Sequence, residues 1–303
     1  AARVRRLPVA LPEAQAGAAG VAEGSRPSPG SRSGRPEVSV VVVAHRAREL
    51  VLKCLESLQQ HARIAYEAIV VDDGSADGTP EAVRSRFPAA QLVVKESSEG
   101  LAAGRNSALP LLKGRLVLML DADTRVWPGA LETMASVLDS DPGVGLVGPK
   151  LVYPDGEVQP SCRRFPSPLI PIVRRWPFVR IAPEPRTHRR HMMLDFDHAS
   201  ERPVVYVMGA AQMWRAELPG LIGPYDERVS SYGGEDLDWC LRVWAAGLEV
   251  RYVPQAVVVH DWQRVVHHGR GWDQHAIRAA RDFYYLQWKH RSLRRDPRLR
   301  RLD

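Results

Sequence analysis

Short apolar runs alternate with amphipathic helical patterns along the first 120 residues of the chain. The runs that predict strands are residues 38–43, 68–71, 92–94 and 116–120. The spacing of apolar positions predicts helices over residues 49–61, 80–87 and 100–112. Strands that are apolar at nearly every position are typical of a sheet buried on both faces. The alternation therefore predicts an α/β fold, with a mostly parallel central sheet and helices on both of its faces.

The pattern becomes less regular after residue 141. One or two strands are predicted over residues 144–152, and others over 204–207, 250–253 and 256–259. Helices are predicted over residues 235–246 and from 273 to about 294. Residues 160–203 are rich in Pro, Arg and His without a period, which is typical of a functional loop or a lid. Residues 1–36 are rich in Ala, Gly, Pro, Ser and Arg and predict a disordered N-terminal tail.

Composition is that of a globular protein. Of 303 residues, 45% are hydrophobic and 25% are charged, which suits one sizeable domain with appendages. No apolar stretch reaches the ~18–20 residues of a spanning helix, and the N-terminus lacks the pattern of a secretory signal. The three cysteines, Cys54, Cys162 and Cys240, show neither disulfide nor metal-ligand spacing. We therefore expect a cytoplasmic protein.

The net charge is +7, and arginines crowd both termini and residues 163–202. Such a surplus attracts nucleic acid, anionic lipid or phosphate-bearing substrates without choosing among them. The basic residues lack the setting of an RNA-recognition motif, a zinc finger or a helix-turn-helix. Nucleic acid is therefore not an expected partner.

Acidic residues follow two predicted strands and open one predicted helix. These clusters are Asp72-Asp73, Asp121-Ala122-Asp123 and Glu235-Asp236. Ligands of open α/β sheets bind outside the carboxyl ends of the strands, so the first two clusters should meet at one crevice. Asp121 and Asp123 suit Mg²⁺ or Mn²⁺, although a solvated turn has the same composition. Asp236 suits a general base, although an acidic residue in a first helical turn also interacts favourably with the helix dipole.

Seven motifs stand in a fixed order along the chain. They are the strand at 38–43, Val-Asp-Asp-Gly-Ser at 71–75, Glu-Gly-x-Ala-x-Gly-Arg-Asn at 99–106, Leu-Asp-Ala-Asp at 120–123, Val-Met-Gly-Ala-Ala at 207–211, Gly-Glu-Asp-x-Asp-Trp-Cys-x-Arg at 234–242 and Val-Val-Val-His at 257–260. With these motifs, residues 37–262 resemble the inverting family 2 glycosyltransferases of GT-A fold. The later motifs look most like those of rhamnosyltransferases that act on lipid-linked glycans.

The resemblance implies a single Rossmann-like GT-A domain over residues 37–265. Residues 37–123 would form its nucleotide-binding half and residues 124–265 its acceptor-binding half. Residues 266–303 would form a basic amphipathic helix and tail. The activity implied is inverting transfer of a sugar, with L-rhamnose the best guess, from a dTDP- or UDP-linked donor. The acceptor would be a hydroxyl of a glycan or a polyprenyl-pyrophosphate-linked precursor.

The resemblance also implies roles for single residues. Asp236 would be the base, Asp123 would bind Mg²⁺ or Mn²⁺, and His260 would be a second ligand of the metal or the diphosphate. Asp73 would hold the nucleobase, Arg105 would face the base or the diphosphate, and Asp121 would lie by the ribose. The rest of the nucleotide-sugar pocket would be Ala44, His45, Arg46, Gly100 and Ala122. The acceptor would be contacted by Gly209, Ala210, Glu235 and Trp239.

Some features depart from the family pattern or leave alternatives open. Many relatives carry an aromatic residue and Asn where this chain has His45 and Arg46, which puts the base preference in doubt. Arg242 is either a diphosphate ligand or part of a solvated helix face, and without the resemblance His260 is an ordinary strand-end histidine. A non-catalytic sugar- or nucleotide-binding relative, transfer of another hexose, and a glycoside hydrolase are the alternatives to the proposed reaction.

The last predicted helix interleaves aromatic and basic residues. The aromatic residues are Phe283, Tyr284, Tyr285 and Trp288, and the basic ones are Arg278, Arg281, Lys289 and Arg291. Such a helix either lies in an anionic membrane surface, here the inner face of the plasma membrane, or packs on the domain or on a second subunit in a homodimer.

Overall fold

The computed structural model describes residues 34–173, 186–230, 233–261 and 274–302. Residues 1–33 of the expected tail lie outside the described residues, as do residues 174–185 of the proline-rich segment. Residues 262–273, which include the expected domain boundary and the predicted start of the last helix, also lie outside them.

Strands and helices alternate regularly in the first half and are shorter in the second. The strands are β1 (Val38–Ala44), β2 (Tyr66–Asp72), β3 (Gln91–Val94), β4 (Leu116–Asp121), β5 (Thr124–Val126), β6 (Val144–Val152), β7 (Val158–Gln159), β8 (Cys162–Arg163), β9 (Arg202–Pro203), β10 (Tyr206–Val207), β11 (Ala211–Arg215) and β12 (Glu249–His260). The α-helices are α1 (Arg48–His61), α2 (Thr79–Arg86), α3 (Leu101–Ala108), α4 (Ala130–Ser140), α5 (Ile170–Val173), α6 (Arg186–His191), α7 (Leu218–Ile222), α8 (Gly234–Ala245), α9 (Gln274–Lys289) and α10 (Pro297–Arg300). Single 3₁₀ turns cover Leu109–Leu111 and Leu293–Arg295.

The main sheet has the strand order β3-β2-β1-β4-β11-β6-β12-β5. Strands β1 to β4 are parallel neighbours, and β6 is parallel to β12. Alternate residues of β1 face opposite sides: Val40 and Val42 pack in a core with α1 and α4, and Val41 packs in a second core with α3 and α8. The predicted α/β class, a mostly parallel sheet with helices around it, is therefore confirmed.

The register of the sheet brings the acidic strand ends to one edge. Ala44 at the end of β1 pairs with Asp72, and its neighbour Val43 pairs with Asp121. The antiparallel strand β11 begins beside them, since the Asp121 N–H donates to the Ala210 carbonyl at 3.0 Å. At the far side, His260 ends β12 opposite Thr124 of β5. One edge of the sheet thus collects residues from both halves of the chain.

Several predicted bounds differ from the structure for local reasons. The two strands predicted over 250–253 and 256–259 form one strand, β12, which continues past Pro254 with a shift in its register. The helix predicted over 100–112 ends at Ala108, because Pro110 has no N–H for a further helical hydrogen bond. The strand predicted over 204–207 is limited to Tyr206–Val207. The pattern analysis did not identify α4, β5 or β11.

The C-terminal helix α9 packs on α8 and on the loop before it. Asp238 of α8 accepts hydrogen bonds from His290 Nε2 and pairs with Lys289 Nζ, both at 2.7 Å. Lys289 also donates to Asp226, which accepts from the Tyr285 hydroxyl at 2.8 Å. One side of α9 therefore contacts α8 and the loop that contains Asp226. No helix in the described ranges is both long and apolar enough to span a bilayer.

Candidate active site

Two carboxylates and one imidazole meet at the edge of the sheet. Asp121, Asp123 and His260 each offer a ligand atom, and these atoms all lie within 4.8 Å of one another. His260 Nε2 lies 3.4 Å from Asp123 Oδ1. The Asp261 N–H donates to the Asp123 carbonyl at 2.9 Å, which holds the end of β12 beside the turn after β4. The fold thus joins residues that are 137 positions apart.

This group suits a divalent cation. Carboxylate oxygens are the ligands of Mg²⁺ and Mn²⁺, and imidazole is a common ligand of first-row transition metals. His260 Nδ1 lies 2.9 Å from the Gln159 side-chain oxygen, so that Nδ1–H donates there and Nε2 is left as an acceptor facing Asp123. The donor set and the orientation of the imidazole therefore fit a bound metal ion.

The electrostatics of the group reflect closely spaced negative charges. Burial raises the pKa of Asp121 to about 6, and the nearby Asp236 and Asp123 raise it while Arg105 lowers it. Burial opposes protonation of His260, but the protonated imidazole donates from Nε2 to Asp123, and this bond and the charges of the surrounding carboxylates raise the pKa of His260 overall. A cation at this position would favour the ionised carboxylates.

Asp236 stands in the first turn of α8 and is held by two donors. The Gly209 N–H donates to its Oδ2 at 2.7 Å, and Arg105 Nη1 donates to its Oδ1 at 3.2 Å. A Cβ at position 209 would lie 1.8 Å from Asp236 Oδ1 and 2.9 Å from Arg105 Nη2, so that only glycine fits. The carboxylate orientation is therefore fixed by the chain segment between β10 and β11.

Arg105 links the group of Asp121, Asp123 and His260 to Asp236. Its side chain is only 2% exposed, and Nη2 lies 3.3 Å from Asp121 Oδ1 and 3.1 Å from the Gly209 carbonyl. Burial alone would lower the pKa of this guanidinium, but Tyr225 and the carboxylates raise it overall. Arg105 therefore stays charged and bridges two carboxylates. Its contact with a nucleobase or diphosphate stays a prediction.

The residues expected at the acceptor side are all buried. Glu235 lies 4.0 Å from Arg105 Nη1, and its pKa is raised by burial and by the adjacent Asp236. Gly209 and Ala210 contribute backbone groups at the edge of the sheet. Trp239 is completely buried and stacks on Tyr225 with ring centroids 3.9 Å apart. Trp239 thus supports the Tyr225 ring, whose centre lies 5.4 Å from the Arg105 guanidinium, and its contact with an acceptor stays a prediction.

The expected nucleotide side is a set of loops above β1 and β2. Asp73 is buried, and its carboxylate accepts from Ser98 Oγ at 2.7 Å and from the Glu99 and Gly100 N–H groups at 3.0 Å. These bonds place the loop that leads into α3, and with it Arg105. They also lower the pKa of Asp73, although burial opposes them.

The other nucleotide-side residues surround that loop. His45 Nδ1 lies 2.7 Å from the Asp73 carbonyl, and the Arg46 N–H donates to Ser75 Oγ at 2.8 Å. Arg46 has a positive φ of 51°, an uncommon backbone conformation for this residue type. Ala44 and Ala122 are buried, whereas His45, Arg46 and Gly100 are exposed. Their contact with a nucleotide stays a prediction.

Some residues have roles that sequence analysis missed. Gln159, the partner of His260, lies in an irregular segment where no period or motif marks it. Tyr225 was not singled out either, because a lone tyrosine between loops gives no pattern. Arg242 does not lie on a solvated face, since its guanidinium donates to Asp238 and to the carbonyls of residues 222–224. Its contact with a diphosphate stays a prediction.

Comparison with known proteins agrees with this arrangement. A family model described as glycosyl transferase family 2 matches residues 39–192, about half of the chain. A second model, described as glycosyl transferase family group 2, matches residues 116–295. The chain is 28% identical over 239 residues to the N-acetylglucosaminyl-diphospho-decaprenol L-rhamnosyltransferase of Mycobacterium tuberculosis, which covers 73% of this chain and 75% of that protein.

Solved structures share the fold at lower identity. A mannosyltransferase from Pyrobaculum calidifontis in complex with GDP-Man and Mn²⁺ has a TM-score of 0.54 and 21% identity, covering 86% of this chain and 73% of that one. GalNAc-T7 with UDP, GalNAc and Mn²⁺ has a TM-score of 0.60 and 15% identity, covering 85% of this chain and 48% of that one. The chain therefore belongs to glycosyl transferase family 2 and is a transferase enzyme with the GT-A fold.

Proposed function

We propose that this enzyme transfers a sugar, with inversion, from a nucleoside-diphosphate donor to a hydroxyl of a lipid-linked glycan. The observation that carries the proposal is the position of Asp236. The Arg105 guanidinium donates both to Asp236 and to the carboxylate of Asp121. A base thus lies next to a group that suits a metal-bound diphosphate. The relative from Mycobacterium tuberculosis supports L-rhamnose as the sugar and a diphospho-polyprenol as the acceptor carrier.

A divalent ion, Mg²⁺ or Mn²⁺, would be held by Asp121, Asp123 and His260. When bound there, such an ion offsets the negative charge that develops on a leaving diphosphate. The remaining chemistry belongs to side chains of this chain. Breaking the sugar–phosphate bond and forming the new glycosidic bond in a single displacement inverts the anomeric centre and leaves one proton to remove.

Asp236 is positioned to take that proton from the acceptor hydroxyl. A carboxylate has about four acceptor positions, and the Gly209 N–H and Arg105 occupy two of them. The remaining positions are available to the hydroxyl that attacks the sugar. Because both donors are anchored in the fold, the carboxylate has one orientation before the substrate arrives.

The test of this function is a transfer assay on the purified chain. Nucleoside-diphosphate sugars, including dTDP-L-rhamnose and several UDP-hexoses, are offered with a short-chain N-acetylglucosaminyl-diphospho-prenol and Mn²⁺. We expect one donor to give a glycosylated lipid whose anomeric configuration is opposite to that of the donor. Donor hydrolysis without transfer, or a product that retains the configuration, would contradict the proposal.

We also propose that the enzyme contacts an anionic membrane through α5 and the outer side of α9. Ile277, Tyr284 and Trp288 are exposed. Tyr284 and Trp288 follow Ile277 by 7 and 11 positions, so that the three side chains lie along one side of α9. The Tyr284 hydroxyl donates to the Pro168 carbonyl, which brings the exposed Leu169 next to this stripe. We call these residues, with Ile172, the apolar patch.

Charge supports a lipid bilayer as the occupant of the apolar patch. Exposed arginines 278, 281 and 291 flank it, and the Arg291 guanidinium lies 5.1 Å from the centre of the Trp288 ring. Aromatic and aliphatic side chains enter the interface of a bilayer while arginines contact its anionic headgroups. This attachment would bring the enzyme to an acceptor that is carried on a lipid.

A further inference from the structure

Arg163 is a buried cation without a carboxylate partner. It belongs to β8, where it pairs with Tyr206 of β10, and only 8% of its surface is exposed. Its Nη1 donates to the Pro160 and Cys162 carbonyls, and its Nη2 lies 3.4 Å from the Met208 sulfur. Within the described ranges no Asp or Glu lies within ion-pair distance of it. A charge held in this way is unfavourable unless something else compensates it.

The buried Arg105, by comparison, is paired with carboxylates. Arg105 is also buried, yet Asp121 and Asp236 both lie within hydrogen-bond distance of its guanidinium. Burial lowers the pKa of Arg163, more than Tyr206, Cys162, Tyr153 and Asp236 raise it, whereas the pKa of Arg105 is raised. The contrast indicates that the Arg163 guanidinium is suited to bind an anion.

The position of Arg163 connects it to the active site. Met208, which contacts its guanidinium, precedes Gly209, the residue whose N–H holds Asp236. The Met208 N–H in turn donates to the Ser161 carbonyl at 2.9 Å. Asp236 lies near enough to influence the charge on Arg163 although the two form no ion pair.

A second hydrogen-bond donor, the side-chain amide of Gln159, lies four residues before Arg163. Gln159 is 1% exposed, and its side-chain oxygen is engaged by His260. Its amide Nε2 has no hydrogen-bond partner among the described residues. Residues 159–163 therefore carry two donors. The Gln159 amide lies beside His260, and the Arg163 guanidinium lies beside Met208, in the segment whose Gly209 N–H holds Asp236. Both side chains are hydrogen-bond donors and one is charged, so they suit a ligand that accepts hydrogen bonds and carries negative charge.

We propose that Arg163, assisted by Gln159, binds a diphosphate group in the catalytic cleft. The planar guanidinium matches two phosphate oxygens, and the buried setting strengthens the contact. The diphosphate belongs either to the nucleotide donor or to the lipid-linked acceptor. The inference deepens the proposed function and rests on it for the identity of these substrates, but the binding itself is testable without turnover.

The test compares two neighbouring arginines. Affinities for inorganic pyrophosphate, UDP and farnesyl diphosphate are measured by calorimetry, in Mn²⁺, for wild type, Arg163→Gln, Arg163→Lys and Arg164→Gln. Arg164 is the matched control, because its guanidinium is already paired with both oxygens of Asp195 at 2.6 and 2.9 Å. Folding of each variant is checked by its thermal unfolding.

We expect Arg163→Gln to weaken pyrophosphate binding about tenfold, the loss typical of a charged hydrogen bond. Arg163→Lys should lie between it and wild type, since Lys keeps the charge without the fork, and Arg164→Gln should match wild type. A loss confined to UDP assigns the donor diphosphate, and one confined to farnesyl diphosphate assigns the acceptor.

A folded Arg163→Gln or Arg163→Lys that binds all three probes like wild type would overturn the proposal. So would equal losses in Arg163→Gln and Arg164→Gln, or a wild-type protein that binds none of the probes. Failure of sugar transfer in the wild type would instead count against the proposed function and leave the difference between the two arginine variants intact.

Discussion

At Gly209 the backbone itself forms part of the candidate active site. Its N–H holds Asp236 at 2.7 Å, and its carbonyl accepts from Arg105 at 3.1 Å. The motif that contains Gly209 was visible in the sequence, but the reason for the glycine was not. That reason is the approach of a side chain from α8, which no local pattern reports.

Gly209→Ala should therefore displace Asp236, the proposed base. A methyl group would meet Asp236 Oδ1 at 1.8 Å, and a shift of about 1 Å in a catalytic group costs roughly 100-fold in rate. We expect transfer to fall by about this factor, measured as kcat/KM. Gly220→Ala is the control, because nothing lies within 4 Å of the added carbon there. Unchanged transfer by Gly209→Ala would show that the orientation of Asp236 is not needed.

Asp123→Ala should abolish the metal dependence of donor binding. In wild type, Mn²⁺ and a nucleoside diphosphate together should raise the melting temperature, because both bind only the folded state. Removal of one carboxylate from the group of Asp121, Asp123 and His260 leaves the metal with two ligands from this set. Asp139→Asn, at a surface ion pair with Arg115, is the control. An unchanged Mn²⁺-dependent shift in Asp123→Ala would place the metal elsewhere.

Glu235 gives a prediction for the pH dependence of stability. Burial raises its pKa above that of the unfolded chain, so the folded state holds a proton that the unfolded state releases. The stabilisation is complete below the unfolded pKa of ~4.3 and is lost as pH rises through the folded pKa. Glu235→Gln removes this loss, so its melting temperature relative to wild type should increase as pH rises from 5 to 8.

The control for that experiment is Glu81→Gln, at an exposed position of α2. Its melting temperature relative to wild type should show no such trend. A constant difference between Glu235→Gln and wild type over the same pH range would mean that Glu235 is ionised in the folded protein throughout.

At the scale of elements, the first half of the fold was predictable because each strand and helix has its own pattern. Val38, Val40 and Val42 face one core and Val41 faces the other, so β1 is apolar at every position except Ser39. β11 gave no such signal. It is a five-residue strand, and its place between β4 and β6 depends on pairing with residues far away in the chain.

α4 was missed although its pattern is regular. Its buried residues are Ala130, Leu131, Met134, Ala135 and Leu138. They recur at helical spacing, and this pattern is sufficient to predict a helix over residues 130–140. By contrast, nothing in the sequence separates the buried side of α9 from its exposed side, because aromatic residues lie on both.

The apolar patch on α5 and α9 should bind anionic lipid. Replacing Ile277 and Trp288 by Ser should weaken partition into vesicles that contain phosphatidylserine or phosphatidylglycerol by about tenfold, since two apolar side chains no longer enter the interface. Leu221→Ser is the control, because Leu221 is 62% exposed, close to the 64% of Trp288, but lies on α7. Equal partition of all three proteins in a sedimentation assay would exclude the patch as a membrane contact.

At the scale of the whole molecule, the sheet edge unites residues that the sequence could only place in separate clusters. Asp121 and Asp123 come from the parallel half, His260 from the last strand, and Asp236 from a helix between them. The ends of parallel strands made the first part of this convergence predictable. The bridge through Arg105 and the support of His260 by Gln159 depend on side-chain contacts across more than 100 residues, which one sequence does not reveal.

The most direct test is to measure two properties of Asp236→Asn, its rate of sugar transfer and its affinity for the donor. The amide keeps the shape of the carboxylate but accepts no proton, and a general base contributes about 100- to 10,000-fold. We predict a loss of transfer in that range, with a donor Kd within about threefold of wild type, since the proposed donor site is the group of Asp121, Asp123 and His260 rather than Asp236. Near-normal transfer would contradict the central claim that Asp236 is the base. Donor binding lost together with transfer would contradict the separation of donor site and base.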